Sequence, residues 1–117
     1  MIVIDYWATW CAPCRAYVPR LREFYNKQHG NGLEIISVSL DSEGEENLAK
    51  LKKAIVDEQM PWHHYYPGQG FESVIASAWG VNSIPRLFVI DREGKLFNLD
   101  AREKLEEIVT PLLEAKQ

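Results

Sequence analysis

The sequence contains few cysteines and no excess of positive charge. Only two of its 117 residues are cysteines, which is too few for a disulfide scaffold, and a chain of this length buries a core without such bridges. Its 13 lysines and arginines are outnumbered by 17 aspartates and glutamates, and no run of basic residues forms a patch. We therefore expect no nucleic-acid partner and no contact of this chain with a membrane surface.

Long apolar runs, internal repeats and low-complexity segments are lacking as well. No stretch approaches the roughly 18 apolar residues of a membrane span, and no secretory signal pattern is present. The chain nevertheless begins directly inside an apolar run, so we expect a truncated N-terminus with a signal, anchor or domain upstream. Residues 1–117 are expected to form a single domain that acts as a monomer.

The two cysteines lie close together in the segment Trp10-Cys11-Ala12-Pro13-Cys14. The apolar residues 2–8 before it predict a buried strand, and the pattern from Arg15 to about His29 predicts a helix. A C-x-x-C motif between a strand and a helix is typical of a redox site in a βαβ unit. Because the helix dipole and unpaired N–H groups stabilise a thiolate at a helix start, Cys11 is the predicted nucleophile. Cys14 is then the predicted resolving thiol.

Asp5 is the exception in the otherwise apolar first strand. Alternation places it on the same face as Val3 and Trp7. A carboxylate in a central strand costs free energy unless it is paired or protonated. A structural Asp that is satisfied by backbone or water is the alternative interpretation. The position of Asp5 six residues before Cys11 favours a role in the chemistry.

The rest of the chain alternates between predicted strands and predicted helices. The further strands are predicted at Leu33–Leu40, Pro61–Tyr66, Arg86–Asp91 and Lys95–Leu99. The further helices are predicted from a capping box at Ser42–Glu45 to about Glu58, over Phe71–Trp79, and after caps at Asp100 and Glu103. The order β-α-β-α-β-α-β-β-α requires parallel early strands, helices on both faces and a C-terminal hairpin. The predicted class is α/β.

Several motifs occur together along most of the chain. They are Asp5-x-Trp7-Ala8-x-Trp10-Cys11-x-Pro13-Cys14-Arg15, Pro19, Trp79-Gly80-Val81-x-Ser83-Ile84-Pro85 and Val89-Ile90-Asp91-x-x-Gly94. With these motifs the chain resembles the thioredoxin-like superfamily, first the TlpA/ResA-like thiol–disulfide oxidoreductases and second the tryparedoxin and nucleoredoxin group. The resemblance implies a thioredoxin-like fold with a central mixed sheet of about five strands and helices on both faces. It also implies a TlpA-like helix–strand insertion at residues 45–66, whereas the usual N-terminal strands of the family are absent.

The resemblance implies thiol–disulfide oxidoreductase activity, in which the cysteine pair reduces a protein disulfide through a mixed disulfide. It implies that Asp5 takes the proton from the resolving cysteine. It implies that Pro85, after Ile84, is a cis-proline facing the redox pair, where the neighbouring backbone binds an extended substrate. It implies that Trp10 belongs to the docking surface, for which a half-buried core aromatic is the alternative.

The dipeptide between the cysteines, Ala12-Pro13, is expected to lie at the same docking surface. It resembles the proline-containing dipeptides of reductants, and we therefore expect a disulfide reductase. Ala12 stands where some members of the family carry a glutamate that tunes the site.

The resemblance also implies the partners and the location. We expect a disulfide-containing protein substrate and an upstream dithiol electron donor. We expect no metal and no separate cofactor, since the redox group would be the disulfide between Cys11 and Cys14. The TlpA/ResA-like group implies a periplasmic or otherwise extracytoplasmic bacterial protein.

Three alternatives belong to other functional classes. Cys11 and Cys14 could bind a metal together with His63 or His64, although structural zinc usually needs four N or S ligands. A peroxidase of the peroxiredoxin type shares the fold, but the Trp-Cys-x-Pro-Cys pattern fits its T-x-x-C setting poorly. A non-catalytic interaction domain would leave the combination of the cysteines with Asp5 and Pro85 unexplained.

Overall fold

The computed structural model describes residues 1–99 and 105–114. Within these residues the strands are β1 (Ile2–Trp7), β2 (Glu34–Ser39), β3 (His63–Tyr65), β4 (Arg86–Ile90) and β5 (Leu96–Leu99). The α-helices are α1 (Ala12–Gln28), α2 (Glu45–Asp57), α3 (Val74–Ala78) and α4 (Leu105–Glu114). This is the predicted order of elements, and the predicted caps at Asp100 and Glu103 lie outside the described residues. No helix within the described ranges has the length and apolar character needed to cross a membrane.

The strands form one mixed sheet of five strands in the order β3-β2-β1-β4-β5. β1 pairs with β2, and β2 with β3, in the parallel direction, while β4 is antiparallel to both β1 and β5. Parallel neighbours need crossover connections, which α1 and α2 supply. The predicted α/β class, the parallel early strands and the C-terminal hairpin are therefore confirmed, with β1 in the centre of the sheet.

The side chains of β1 alternate between two apolar clusters, as predicted. Val3 and Trp7 pack in the cluster that contains buried residues of α1, α2 and α4. Ile4 and Tyr6 pack in the opposite cluster, to which α3 contributes Ala76. Helices thus cover both faces of the sheet. The face that carries Asp5 is the one against which α1 packs, because Asp5 alternates in register with Val3 and Trp7.

The starts of α2 and α3 differ from the predictions. The capping box at Ser42–Glu45 is wrong: α2 begins after Gly44, which has a φ of 128° and makes no side-chain cap. The chain enters α2 through this left-handed residue, and Ser42 forms an isolated bridge with Gln69 instead. The helix predicted over Phe71–Trp79 is shorter. A 3₁₀ turn at Gly70–Glu72 precedes α3, and the Ser73 hydroxyl caps α3 by accepting a hydrogen bond from the N–H of Ala76.

Two leucines in the hairpin of β4 and β5 differ in burial, and replacing each of them tests which residues form the core. Leu87 in β4 is completely buried, whereas Leu96 in β5 is 54% exposed. We expect Leu87→Ala to lower the free energy of unfolding by about 2–5 kcal/mol, because it leaves a cavity next to β1. The matched control, Leu96→Ala, should change it by no more than about 0.5 kcal/mol. Urea unfolding of both variants measures the difference, and equal losses would contradict the assignment of the core.

Candidate functional site

The two cysteines are bonded to each other at the N-terminus of α1, with 5.2 Å between their Cα atoms. α1 begins at Ala12, three residues earlier than predicted, so that Cys11 is its N-cap and Cys14 lies in its first turn. The Cys11 Sγ accepts a hydrogen bond from the N–H of Cys14 at 3.2 Å. Because a free N–H and the positive end of the helix dipole both stabilise a sulfur anion, this position favours a thiolate on Cys11 after reduction.

The turn between β1 and α1 is held by a buried carboxylate at the end of β2. Asp41 is 2% exposed and accepts hydrogen bonds from the N–H of Thr9 at 3.2 Å and from its hydroxyl at 2.6 Å. The Ser39 hydroxyl donates to the same carboxylate at 2.6 Å. Because Thr9 immediately precedes Trp10 and Cys11, these bonds fix the point at which the chain enters the redox motif.

The carbonyl of Thr9 is contacted from α1. Arg15 donates a hydrogen bond to this oxygen at 3.4 Å and forms an ion pair with Glu58, at the end of α2, at 3.0 Å. The turn is therefore bonded on one side to β2 and on the other, through Arg15, to the end of α2.

Asp5 lies buried in the central strand, with 3% of its surface exposed. Its carboxylate accepts a hydrogen bond from the Ser37 hydroxyl on the neighbouring β2 at 2.8 Å. Ser37 in turn accepts a hydrogen bond from the indole N–H of Trp62 at 2.8 Å. Burial raises the pKa of the Asp5 carboxyl to about 7, although the Ser37 hydrogen bond lowers it. A group with this pKa gains or loses a proton close to neutral pH.

The residues flanking the cysteines form an exposed surface. Trp10 is 61% exposed, so the alternative of a half-buried core aromatic is wrong. Its ring centroid lies 6.5 Å from that of Phe71, which is in the 3₁₀ turn before α3 and is itself partly exposed. Ala12 and Pro13 are also exposed in the first turn of α1. A partner that approaches the disulfide therefore meets an aromatic and apolar surface.

The peptide bond between Ile84 and Pro85 is cis, immediately before β4. Both residues are half-buried, and Ile84 packs against the cluster that contains Cys11 and Cys14. The structure thus brings Ile84 to the core around the cysteines, and its neighbour Pro85 lies at the start of a strand adjacent to β1.

The two histidines of the metal-binding alternative are His63 and His64, and they differ in exposure and in hydrogen bonding. His63 is exposed, whereas the ring of His64 is half-buried and has its Nε2 3.0 Å from the carbonyl oxygen of Met60. Burial lowers the pKa of His64. In the part of the chain that the structure describes, no group of three or more histidine, cysteine, aspartate or glutamate side chains is arranged to hold a metal ion.

Sequence reasoning missed five residues that surround the site, four of which lie far from the cysteines along the chain. They are Thr9, Ser37, Asp41, Trp62 and Phe71. One signal was available for two of them. Ser37 and Asp41 are polar residues in and just after a buried strand, and parallel strands bring their carboxyl ends to the same edge of a sheet, where sites are formed.

Known proteins share both the sequence pattern and the fold. A family model described as thioredoxin-like matches residues 1–96. The ResA thiol-disulfide oxidoreductase of Bacillus thuringiensis subsp. konkukian is 30% identical over 110 residues, which cover 91% of this chain. The chain spans 60% of the length of that relative. The tryparedoxin of Trypanosoma brucei brucei is 32% identical over 103 residues, covering 86% of this chain and 67% of that protein.

A solved structure gives the same result. The thioredoxin domain of a thiol-disulfide oxidoreductase from Bacteroides vulgatus superimposes with a TM-score of 0.82 at 25% identity, covering 96% of this chain and 78% of that one. Since the family model extends over residues 1–96 and the mixed sheet with its disulfide-bonded C-x-x-C motif agrees with it, the chain belongs to the thioredoxin-like family.

Proposed function

We propose that this chain is a thiol–disulfide oxidoreductase that reduces disulfides of protein substrates. The observation that carries the proposal is the disulfide between Cys11 and Cys14 at the N-terminus of α1. A cysteine pair with this spacing at a helix start can be cycled between dithiol and disulfide, because the helix stabilises the thiolate of the first cysteine.

The reaction begins with the reduced pair. The Cys11 thiolate attacks one sulfur of the substrate disulfide, whose S–S bond breaks as the mixed disulfide forms. The departing substrate sulfur takes a proton. The Cys14 thiolate then attacks the Cys11 Sγ, which releases the second substrate thiol and forms the Cys11–Cys14 disulfide. Two electrons have passed to the substrate, and an upstream dithiol donor returns the pair to its reduced form.

Asp5 is the proposed proton acceptor for Cys14 in the second step. The support comes from the raised pKa of about 7 and from the position of Asp5 on the strand face that packs against α1. A thiol of ordinary pKa is a weak nucleophile at neutral pH, so a base that ionises near pH 7 accelerates its attack. Ser37, which is itself bonded to Trp62, orients the carboxylate, and among the described residues the carboxylate has no cationic partner.

Substrate docking is proposed at the surface around the cysteines. Trp10, Ala12 and Pro13 would contact the polypeptide on one side of its disulfide. The backbone around Ile84 and Pro85 would pair with the extended substrate on the other side. We also infer that the protein works outside the bacterial cytoplasm, which its similarity to ResA supports, and that it acts as a monomer.

Single-cysteine variants test the order of attack. Cys11→Ser should abolish the reduction of insulin disulfides, because the variant lacks the attacking thiolate. Cys14→Ser should accumulate a mixed disulfide that cannot be resolved. Non-reducing gel electrophoresis and mass spectrometry identify the trapped species. Equal trapping by both variants would contradict the assigned roles.

The raised pKa of Asp5 predicts a pH-dependent stability. Between about pH 4 and pH 7, unfolded Asp5 has lost its proton while the folded carboxyl retains it, so the folded state binds more protons. The free energy of unfolding of the oxidised wild type should therefore fall as the pH rises through this window. The fall relative to Asp5→Asn is up to about 4 kcal/mol, from roughly three pKa units at about 1.4 kcal/mol each.

Urea unfolding of both oxidised proteins from pH 4 to pH 8 measures this difference, in which all shared titrations cancel. A wild-type-to-variant difference that is constant with pH would show that Asp5 has an ordinary pKa. The same variant tests the kinetic role: at pH 7, release of substrate from the mixed disulfide should be about 10-fold slower or more. Formation of the mixed disulfide by Cys11 should be much less affected.

A further inference from the structure

A cleft beside the redox motif is not used by the proposed mechanism. It lies between the turn that carries Thr9 and Trp10 and the side of α2, and has a volume of about 350 Å³. The side of α2 contributes Asn47, Lys50 and Lys53 to its lining. Since Trp10 immediately precedes Cys11 and is exposed, the cleft opens next to the disulfide.

The charges of this cleft differ from those of the whole protein. The sequence has a net charge of −4, yet three cations and one carboxylate line the cleft. Two of the cations are matched: Arg15 pairs with Glu58 at 3.0 Å, and Lys53 pairs with Asp57 at 2.7 Å. Among the described residues Lys50 has no ion-pair partner. The cleft therefore presents one unmatched positive charge beside an exposed tryptophan.

We propose that this cleft binds an acidic segment of the substrate protein next to the disulfide that is reduced, with Lys50 as the residue that selects it. The inference rests on the proposed function. A peptide side chain with a carboxylate complements Lys50, and the apolar part of the same segment contacts the exposed ring of Trp10. The volume of the cleft admits the side chains of a few residues, which suits a short stretch flanking a cystine. Because the charge lies at the rim of the docking surface, it acts on encounter and depends on ionic strength.

The experiment compares two synthetic disulfide-bonded peptides with the same core and either two glutamates or two lysines beside the cystine. The quantity measured is the ratio of kcat/KM for the glutamate peptide to that for the lysine peptide, at low ionic strength and at 150 mM salt. For the wild type we expect a ratio of about five at low salt and a smaller one at 150 mM. Lys50→Glu should reverse the preference.

Lys52→Glu is the matched control. Lys52 is exposed on the same helix, and its substitution by glutamate changes the net charge by the same amount. It is not among the described residues that line the cleft. The control should keep the wild-type ratio. An equal loss of the ratio in both variants would mean that only net charge matters, which overturns the proposal.

Three further outcomes separate this proposal from the function on which it rests. If the wild type reduces neither peptide nor insulin, the proposed function itself fails. If both peptides are reduced equally and Lys50→Glu changes nothing, the proposed binding of an acidic segment is overturned, whereas the proposed reductase activity is supported. If the flanking charges have no effect but reduction of oxidised glutathione depends on Lys50, the cleft binds a small anionic disulfide instead, which also overturns the proposal.

Discussion

The hydrogen bonds between Asp41 and Thr9 are the constraint on which the geometry of the site depends. They connect the end of β2 to the turn between β1 and α1, across 32 residues of sequence, and the carboxylate that accepts them is buried. Without a fixed turn, Cys11 would not be held at the N-cap position, where the Cys14 N–H reaches its sulfur. A buried carboxylate needs several donors to offset its loss of hydration, and Thr9 and Ser39 supply them. The same bonds thus stabilise the fold and orient the reactive sulfur.

Asp5 is also a buried carboxyl, but it has fewer hydrogen-bond donors than Asp41. Asp41 accepts bonds from two hydroxyls and a backbone N–H, whereas Asp5 accepts one from the Ser37 hydroxyl. One neutral donor cannot replace the water lost on burial, and the pKa of Asp5 rises to about 7 as a consequence. The protein therefore has one buried carboxyl whose several donors hold the turn and, in the central strand, a second one that exchanges a proton near neutral pH. An ionised Asp5 lowers stability at neutral pH, and in the proposed mechanism the exchangeable proton is the one that Asp5 takes from Cys14.

Local patterns predicted the parts of the fold that depend on neighbouring residues. The alternation along β1 and the C-x-x-C spacing can be read from neighbouring residues, so the order of the elements along the chain and the redox pair could be inferred. The contacts of Asp41 and Phe71 could not, because they bring together residues that are distant in sequence. The capping box before α2 failed for a related reason: the positive φ of Gly44 and the bridge from Ser42 to Gln69 depend on how the chain packs. Propensity carries no information about such contacts.

The segment at residues 45–66 contacts the surroundings of both Asp5 and the turn before the cysteines. Its Trp62 bonds to Ser37 and so orients the partner of Asp5, and its Glu58 pairs with Arg15, which contacts the turn before Trp10. Its helix α2 also supplies the wall of the cleft that carries Lys50. The surroundings of Asp5, the position of Trp10 and the charge of the cleft therefore all depend on one segment. Under the proposed mechanism, a change in the packing of α2 alters reactivity and substrate preference together, whereas a change confined to Lys50 alters only the charge at the entrance to the cleft.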